Sequence, residues 1–161
     1  MAIYLKASTL TGNVTTEGFQ NWVEIYDLDG PTVSAPVQMK TGQASDRQGG
    51  TPNFEQISFL KPQDGSSTDF FNAVHSGRVF PSMEIDFVTT GTTPVIYAKL
   101  VLSKVAVTHY SQRHKGSAGK PQEIIRLAYT QVEHTVIPRD ASNNLGSPET
   151  TGYDIEKASK L

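Results

Sequence analysis

Four histidines, two carboxylates at alternate positions and a handful of aromatic residues are the side chains with which this chain could do chemistry. His109 and His114 are close enough in sequence for two imidazoles to approach one cation. A catalytic metal needs a third ligand of fixed geometry, and no His-Glu-x-x-His helix supplies it. Both are read as solvated loop histidines. His75 falls in the last turn of a helix, where a cation interacts favourably with the dipole. Glu84 and Asp86 stand at i and i+2 of a strand whose other face carries Met83, Ile85 and Phe87. That spacing predicts a solvated outer face for both carboxylates. It does not predict a shielded pair with pKa values driven apart for acid–base or glycosidase work.

Nucleophiles and phosphate cradles fare no better. Ser76-Gly77 lacks the G-x-S-x-G elbow, and Gly49-Gly50 has neither a G-x-G-x-x-G nor a Walker lysine around it. Trp22, Tyr26 and Tyr97 could make a sugar-stacking platform, but aromatics at strand spacing more often serve cores and interfaces. The chain contains no cysteine, which excludes disulfides and thiolate metal sites. The reading is a non-enzymatic protein without cofactor, metal or catalytic residue.

The elements around these residues are mostly strands. Period-2 alternation starts with Ile3 and Leu5, continues from Trp22 to Leu28, and recurs from Val33 to Met39, where Val33, Ala35, Val37 and Met39 share a face. Apolar residues occupy both faces of the Trp22–Leu28 stretch, which predicts cover on both sides. Pro36 cannot donate to a ladder, so the third strand is expected at an edge or a bulge. Thr41 to Asn53 (TGQASDRQGGTPN) reads as a long protruding loop, before a strand from Phe54 to Lys61. One helix follows. Ser67 or Thr68 caps it, Phe70, Ala73 and Val74 form its apolar stripe with Phe71 widening it, and Gly77 ends it. Being short, it must dock on an apolar surface, plugging a barrel end or covering a sheet.

Two long strands complete the pattern. In Val95–Tyr110 the apolar face switches from Ile96, Ala98, Leu100 and Leu102 to Val101, Val105 and Val107, which predicts a bulge or bend near Ser103. Gln122–Pro138 changes face in the same way, from Ile125, Leu127 and Tyr129 to Val132 and Val136. Long bent strands turn the corners of a small barrel. Tyr153 and Ile155 suggest a short closing strand. The fold class is therefore mainly β: a small antiparallel β-barrel of two curled sheets, with one short flanking helix and a long protruding loop. Residues 1–161 are expected to form a single domain.

The formal net charge is −2, with both signs scattered, so no polybasic run exists to attract a phosphate backbone. No stretch approaches the roughly 20 apolar residues of a membrane helix. The first residues have neither the basic nor the apolar region of a signal peptide. A cytoplasmic start is expected, and any export would proceed without a cleavable leader. Neither nucleic-acid binding nor direct membrane insertion is expected.

From Phe59 to Pro81 the sequence resembles a known arrangement: a strand, a Lys61-x-x-Asp64 turn and a helix ending in Ser76-Gly77. Met83-Glu-Ile-Asp-Phe, Tyr97-Ala-Lys-Leu-Val-Leu and Glu123-Ile-Ile-Arg-Leu-Ala-Tyr follow in the same order, with Trp22-Val-Glu-Ile before and Gly152-Tyr-Asp-Ile after. Together they are similar to the haemolysin-coregulated protein (Hcp) family, the inner tube protein of the type VI secretion system. Two stretches depart from that family's habit, Gly12-Asn-Val-Thr-Thr-Glu17-Gly18 and Asp27-Leu28-Asp29-Gly30-Pro31.

The resemblance implies six copies closing into a ring and rings stacking into a tube. It further implies a contractile sheath, spike and baseplate components as partners, and effector proteins carried in the lumen. Subunit and ring-stacking contacts are expected at Val33, Val37, Thr41, Gly42, Gln43, Asp46, Arg47, Gln48, Gly49 and Gly50. A contractile-phage-like tail tube protein is the mechanical alternative. A monomeric ligand- or carbohydrate-binding barrel is the alternative from another class.

Overall fold

The computed structural model describes residues 1–37, 41–42, 49–117 and 119–161. The expectations placed on Met39, Gln43, Asp46, Arg47 and Gln48 fall outside the described residues. In chain order the elements are β1 (Ala2–Ala7), β2 (Val23–Ile25), β3 (Asp27–Asp29), β4 (Val33–Ser34), β5 (Asn53–Phe54), β6 (Ile57–Pro62) and α1 (Ser67–Ser76). They continue with β7 (Val79–Thr89), β8 (Val95–Arg113), β9 (Gln122–Ala128), β10 (Gln131–Val136), β11 (Glu149–Asp154) and β12 (Ser159–Lys160).

Every ladder is antiparallel. One path runs β12-β11-β10-β8-β7-β1-β2, while β9 joins β8 to β6 and β6 joins β3. The sheet is curled rather than closed. β2 and β6 touch, but no ladder joins them, and the chain itself makes the connection by turning at Tyr26. The single strand expected from Trp22 to Leu28 is thus two. β2 pairs with β1 and β3 pairs with β6. Between them the Tyr26 N–H donates to the Leu60 carbonyl at 2.8 Å while its side chain stays exposed. Apolar residues on both faces marked a change of partner at this corner.

The second corner lies where the face switch places it. Lys104 has φ 49°, and on either side of it β8 changes neighbour: residues Ala98–Ser103 pair with β10, and Ala106–Arg113 with β9. The break between β9 and β10 is opposite, and both the N–H and Oγ1 of Thr130 donate to the Ser103 carbonyl, at 3.0 and 3.2 Å. The bend keeps Leu100 and Leu102 inside before the corner, and Val105 and Val107 inside after it.

The core also contains Leu5, Ile25, Ile57, Phe59, Met83, Ile85, Ile125 and Leu127. Helix α1 sets Phe70 and Ala73 into it, with Phe70 edge-on to Phe59 at 6.0 Å between ring centroids. The cap position is Ser66, one residue before the expected capping pair, and Gly77 at φ 66° ends the helix. Phe71 does not widen the buried stripe. It lies about 100° around the helix from Phe70, is 58 % exposed, and meets His75 and Tyr110 edge-on. The closing strand is β11, which contains Tyr153. Ile155 falls just past it, its N–H donating to the Thr130 carbonyl.

Candidate assembly surface and its buried anchor

Between β3 and β6 the chain leaves the curled sheet and returns as a ribbon. Gly30 makes the exit. Its φ is 116°, and an added Cβ would stand 3.0 Å from the Ile57 side chain, so glycine is required twice over. The ribbon is held by Glu55 N–H to the Thr32 carbonyl, the β4–β5 ladder pairing Val33 with Phe54, and Gly50 N–H to the Pro36 carbonyl at 3.1 Å. A Cβ on Gly50 would lie 2.5 Å from that carbonyl oxygen. Among the described residues, the strand expected over Val33–Met39 covers only Val33–Ser34. Pro36 has no N–H to offer, and Gly50 on the returning segment holds its carbonyl.

Val33 and Val37 project from this arm 56 % and 44 % exposed. Thr41 and Gly42 form an exposed turn, Gly49 is exposed and Gly50 is half-buried. The structure therefore brings Val33, Val37 and Gly50 together on one ribbon. At the arm's base lies an apolar groove of about 510 Å³, with Pro31, Val33 and Phe54 on one wall and Val132, His134 and Tyr153 on the other. Phe54 stacks on Tyr153 at 5.1 Å, and the Tyr129 hydroxyl donates to the Glu55 carbonyl at 3.0 Å. Sequence reasoning missed the groove, because Phe54, Val132 and Tyr153 come from three strands distant in the chain and no periodicity links them.

Below the other end of β6 sits a buried charge cluster. The β6–β9 register sets Lys61 opposite Glu123, and both are 0 % exposed. Lys61 Nζ is 2.7 Å from Glu123 Oε2, 2.9 Å from Asp64 Oδ1, 3.0 Å from the Pro62 carbonyl and 3.3 Å from Ser67 Oγ. An ammonium has three donors, and four acceptors surround it here. The other oxygen of Glu123 accepts from the Tyr110 hydroxyl at 2.9 Å. Burial first, and then that carboxylate, push the Tyr110 phenol up to about 12. Asp64 accepts from Ser66 N–H as well, so the cluster ties the β6–α1 turn and the start of α1 to β8 and β9. Lys61 and Asp64 are the ends of the Lys-x-x-Asp turn noted in the sequence. With its donors met and no solvent access, the amine is an anchor and not a nucleophile.

The carboxylate pair corrects the sequence reading. Glu84 is half-buried, as an outward residue beside neighbours would be, but Asp86 is 1 % exposed. The segment between β1 and β2 folds over this side of the sheet, where Phe19 packs with Tyr4 and Val88. Alternation identified the face correctly; it carried no information about the loop lying over it. Trp22, Tyr26 and Tyr97 make no platform: Trp22 packs on Phe19, Tyr97 lies near Phe87, and Tyr26 is exposed at the corner. Among the described residues no group of three or more His, Asp or Glu side chains could hold a metal ion.

A family model described as "Type VI secretion system effector, Hcp" matches residues 4–136. Among solved structures, one of a type six secretion system protein superposes with a TM-score of 0.92 at 22 % identity, covering 99 % of each chain. Hcp1 from Salmonella typhimurium gives a TM-score of 0.74 at 18 % identity, over 99 % of this chain and 98 % of that one. A type VI secretion system effector from Yersinia pestis gives 0.72 at 12 % identity, over 94 % and 98 %. At these identities the likeness is one of fold. No curated protein sequence matches this one significantly.

Proposed function

The chain belongs to the Hcp family of type VI secretion proteins, and from that premise we propose that it is the tube subunit of such a system. Six copies close into a ring, rings stack into a tube, and the tube carries effector proteins inside a sheath and behind a spike. The subunit works without catalysis or cofactor, and is secreted with the tube. The observation that carries this reading is the extent of the family match, which runs from β1 through β10 and so includes the arm, the Lys61 anchor and one wall of the groove.

The arm supplies the contact surface in this proposal. Val33 and Val37 bury against a neighbouring copy, and Thr41, Gly42, Gln43, Asp46, Arg47, Gln48, Gly49 and Gly50 serve subunit or ring contacts. A head-to-tail contact of this kind closes into a ring when the rotation permits. Light scattering of the purified chain tests it, with an expected mass of six chains of 17.5 kDa (6 × 17.5 kDa, roughly 105 kDa) and annular particles in negative stain. A solitary 17.5 kDa species at high concentration would sink the reading. Deleting residues 43–50 is expected to leave a folded subunit that fails to stack, and unchanged tube formation would remove the loop's assigned role.

A further inference from the structure

Asp86 is almost wholly buried, yet its Oδ1 has no hydrogen-bond partner. Its cross-strand neighbours are Tyr4 on β1 and Lys99 on β8. Lys99 would be its natural counter-ion. Instead the lysine leans diagonally along the sheet to Glu84, 2.5 Å away, and stays 3.9 Å from Asp86 Oδ1. Lys6, paired across from Glu84, holds its Nζ over the Trp22 ring, 5.4 Å from the centroid. The Tyr4 hydroxyl is taken by Thr16 Oγ1 at 3.1 Å. Farther along the same face stand Glu24 on β2, opposite Tyr4, and on β10 Thr135 and Glu133, opposite Lys99 and Val101. Lys99, Lys6 and Tyr4 each lean toward another partner, and the nearest ionisable group on its own strand is another carboxylate.

We propose that Asp86 is a proton-binding site in the wall of the folded subunit, which makes the fold tighter in mildly acidic than in neutral surroundings. A buried carboxylate whose nearest cation stands 3.9 Å away loses its hydration and gains little in return, whereas the neutral acid gives up far less. Burial is accordingly the largest influence on this group. Lys99 pulls its pKa down, Glu84 pushes it up and Lys6 pulls it down again, leaving the carboxyl raised from 3.8 to about 6. A carboxyl with a higher pKa folded than unfolded binds its proton more tightly in the native state. Stability therefore falls as pH rises from near 4 to about 6, and the penalty is complete above that. This inference concerns the subunit alone and holds whatever the subunit assembles into.

Urea unfolding of the full chain and of Asp86→Asn across pH tests it. The ratio of the variant's folding constant to the wild type's is expected to rise roughly tenfold or more between about pH 4 and about pH 7, because only the wild type acquires a buried charge over that range. A rise of less than about threefold overturns the proposal. Glu84→Gln provides an independent arm should the asparagine variant fail to fold. Removing the diagonal partner frees Lys99 to turn to Asp86, so the pH midpoint of the stability decline should lie about one unit lower in this variant than in the wild type. A midpoint that stays in place overturns the proposal equally.

Discussion

Glu123 and Asp86 are both carboxylates on strands of one curled sheet, and both are shut away from water. Glu123 faces a lysine directly across the ladder, with a tyrosine hydroxyl on its second oxygen. Asp86 also has a lysine directly across the ladder, but that lysine is bonded to Glu84. The two sites share burial, cross-strand geometry and a second acid on the base, and differ in whether the lysine reaches the facing acid: Lys61 stands 2.7 Å from Glu123, whereas Lys99 stays 3.9 Å from Asp86. Burial alone therefore does not decide what an acidic side chain does in this protein. What decides is how closely the facing ammonium approaches the carboxylate, together with the hydrogen bonds on the remaining oxygen.

The most severe way to break the contrast is Lys61→Met, which turns Glu123 into an unpaired buried charge. Removing one partner of a buried pair costs about 3–5 kcal/mol, and chemical denaturation at neutral pH should show a loss of that order. Adding Glu123→Gln to Lys61→Met removes the stranded charge and should recover part of it. A double variant that recovers nothing would mean that packing around Phe70, not charge, holds this end together. Tyr110→Phe sharpens the comparison more gently. It removes a hydrogen bond to a charged acceptor, worth about 1.5–3 kcal/mol, and should leave assembly intact as judged by light scattering. The acidity ratio for Asp86→Asn is the matching measurement at the other site.

Outside both buried sites, Gly50→Ala should act on the arm and barely on the sheet. The added methyl collides with the Pro36 carbonyl, so the mass in light scattering should fall toward the monomer while the unfolding midpoint stays close to wild type. A large stability loss would mean that the arm is part of the folding unit. The smallest effect is expected at Lys104, whose ion pair with Glu156 is exposed on both sides. Lys104→Gly removes that pair but relieves a left-handed backbone, and no loss of thermal stability should be seen.

How much of this was legible beforehand depends on the range of the physics involved. The bend near Ser103 could be read directly, because inside and outside alternate strictly along a strand and a face switch demands a local break. The helix stop at Gly77 was legible for a similar reason: one residue's backbone freedom ends it. Phe71 was misjudged, since a short helix against one sheet buries a narrower stripe than its apolar content suggests. Asp86 was misjudged because alternation reports which side of a strand a residue faces, and a separate loop then covered that side. Val33 and Val37 are exposed on the arm, but the groove at its base was not legible in the sequence. The contact roles assigned to Val33, Val37, Thr41, Gly42, Gln43, Asp46, Arg47, Gln48, Gly49 and Gly50 all remain a proposal.

By itself, the order of residues determined where strands run, where they bend, where the helix ends, and that no thiol chemistry is possible. These properties are set by neighbours a few positions apart, through side-chain alternation and backbone sterics. Only the tertiary structure decided that Lys61, Asp64, Glu123 and Tyr110 meet, that Phe54 stacks on Tyr153, and that Asp86 Oδ1 is left without a hydrogen bond. Each of those outcomes depends on ladder register and loop cover between segments far apart in the chain. A register displaced by one residue would have turned the same side chains toward water.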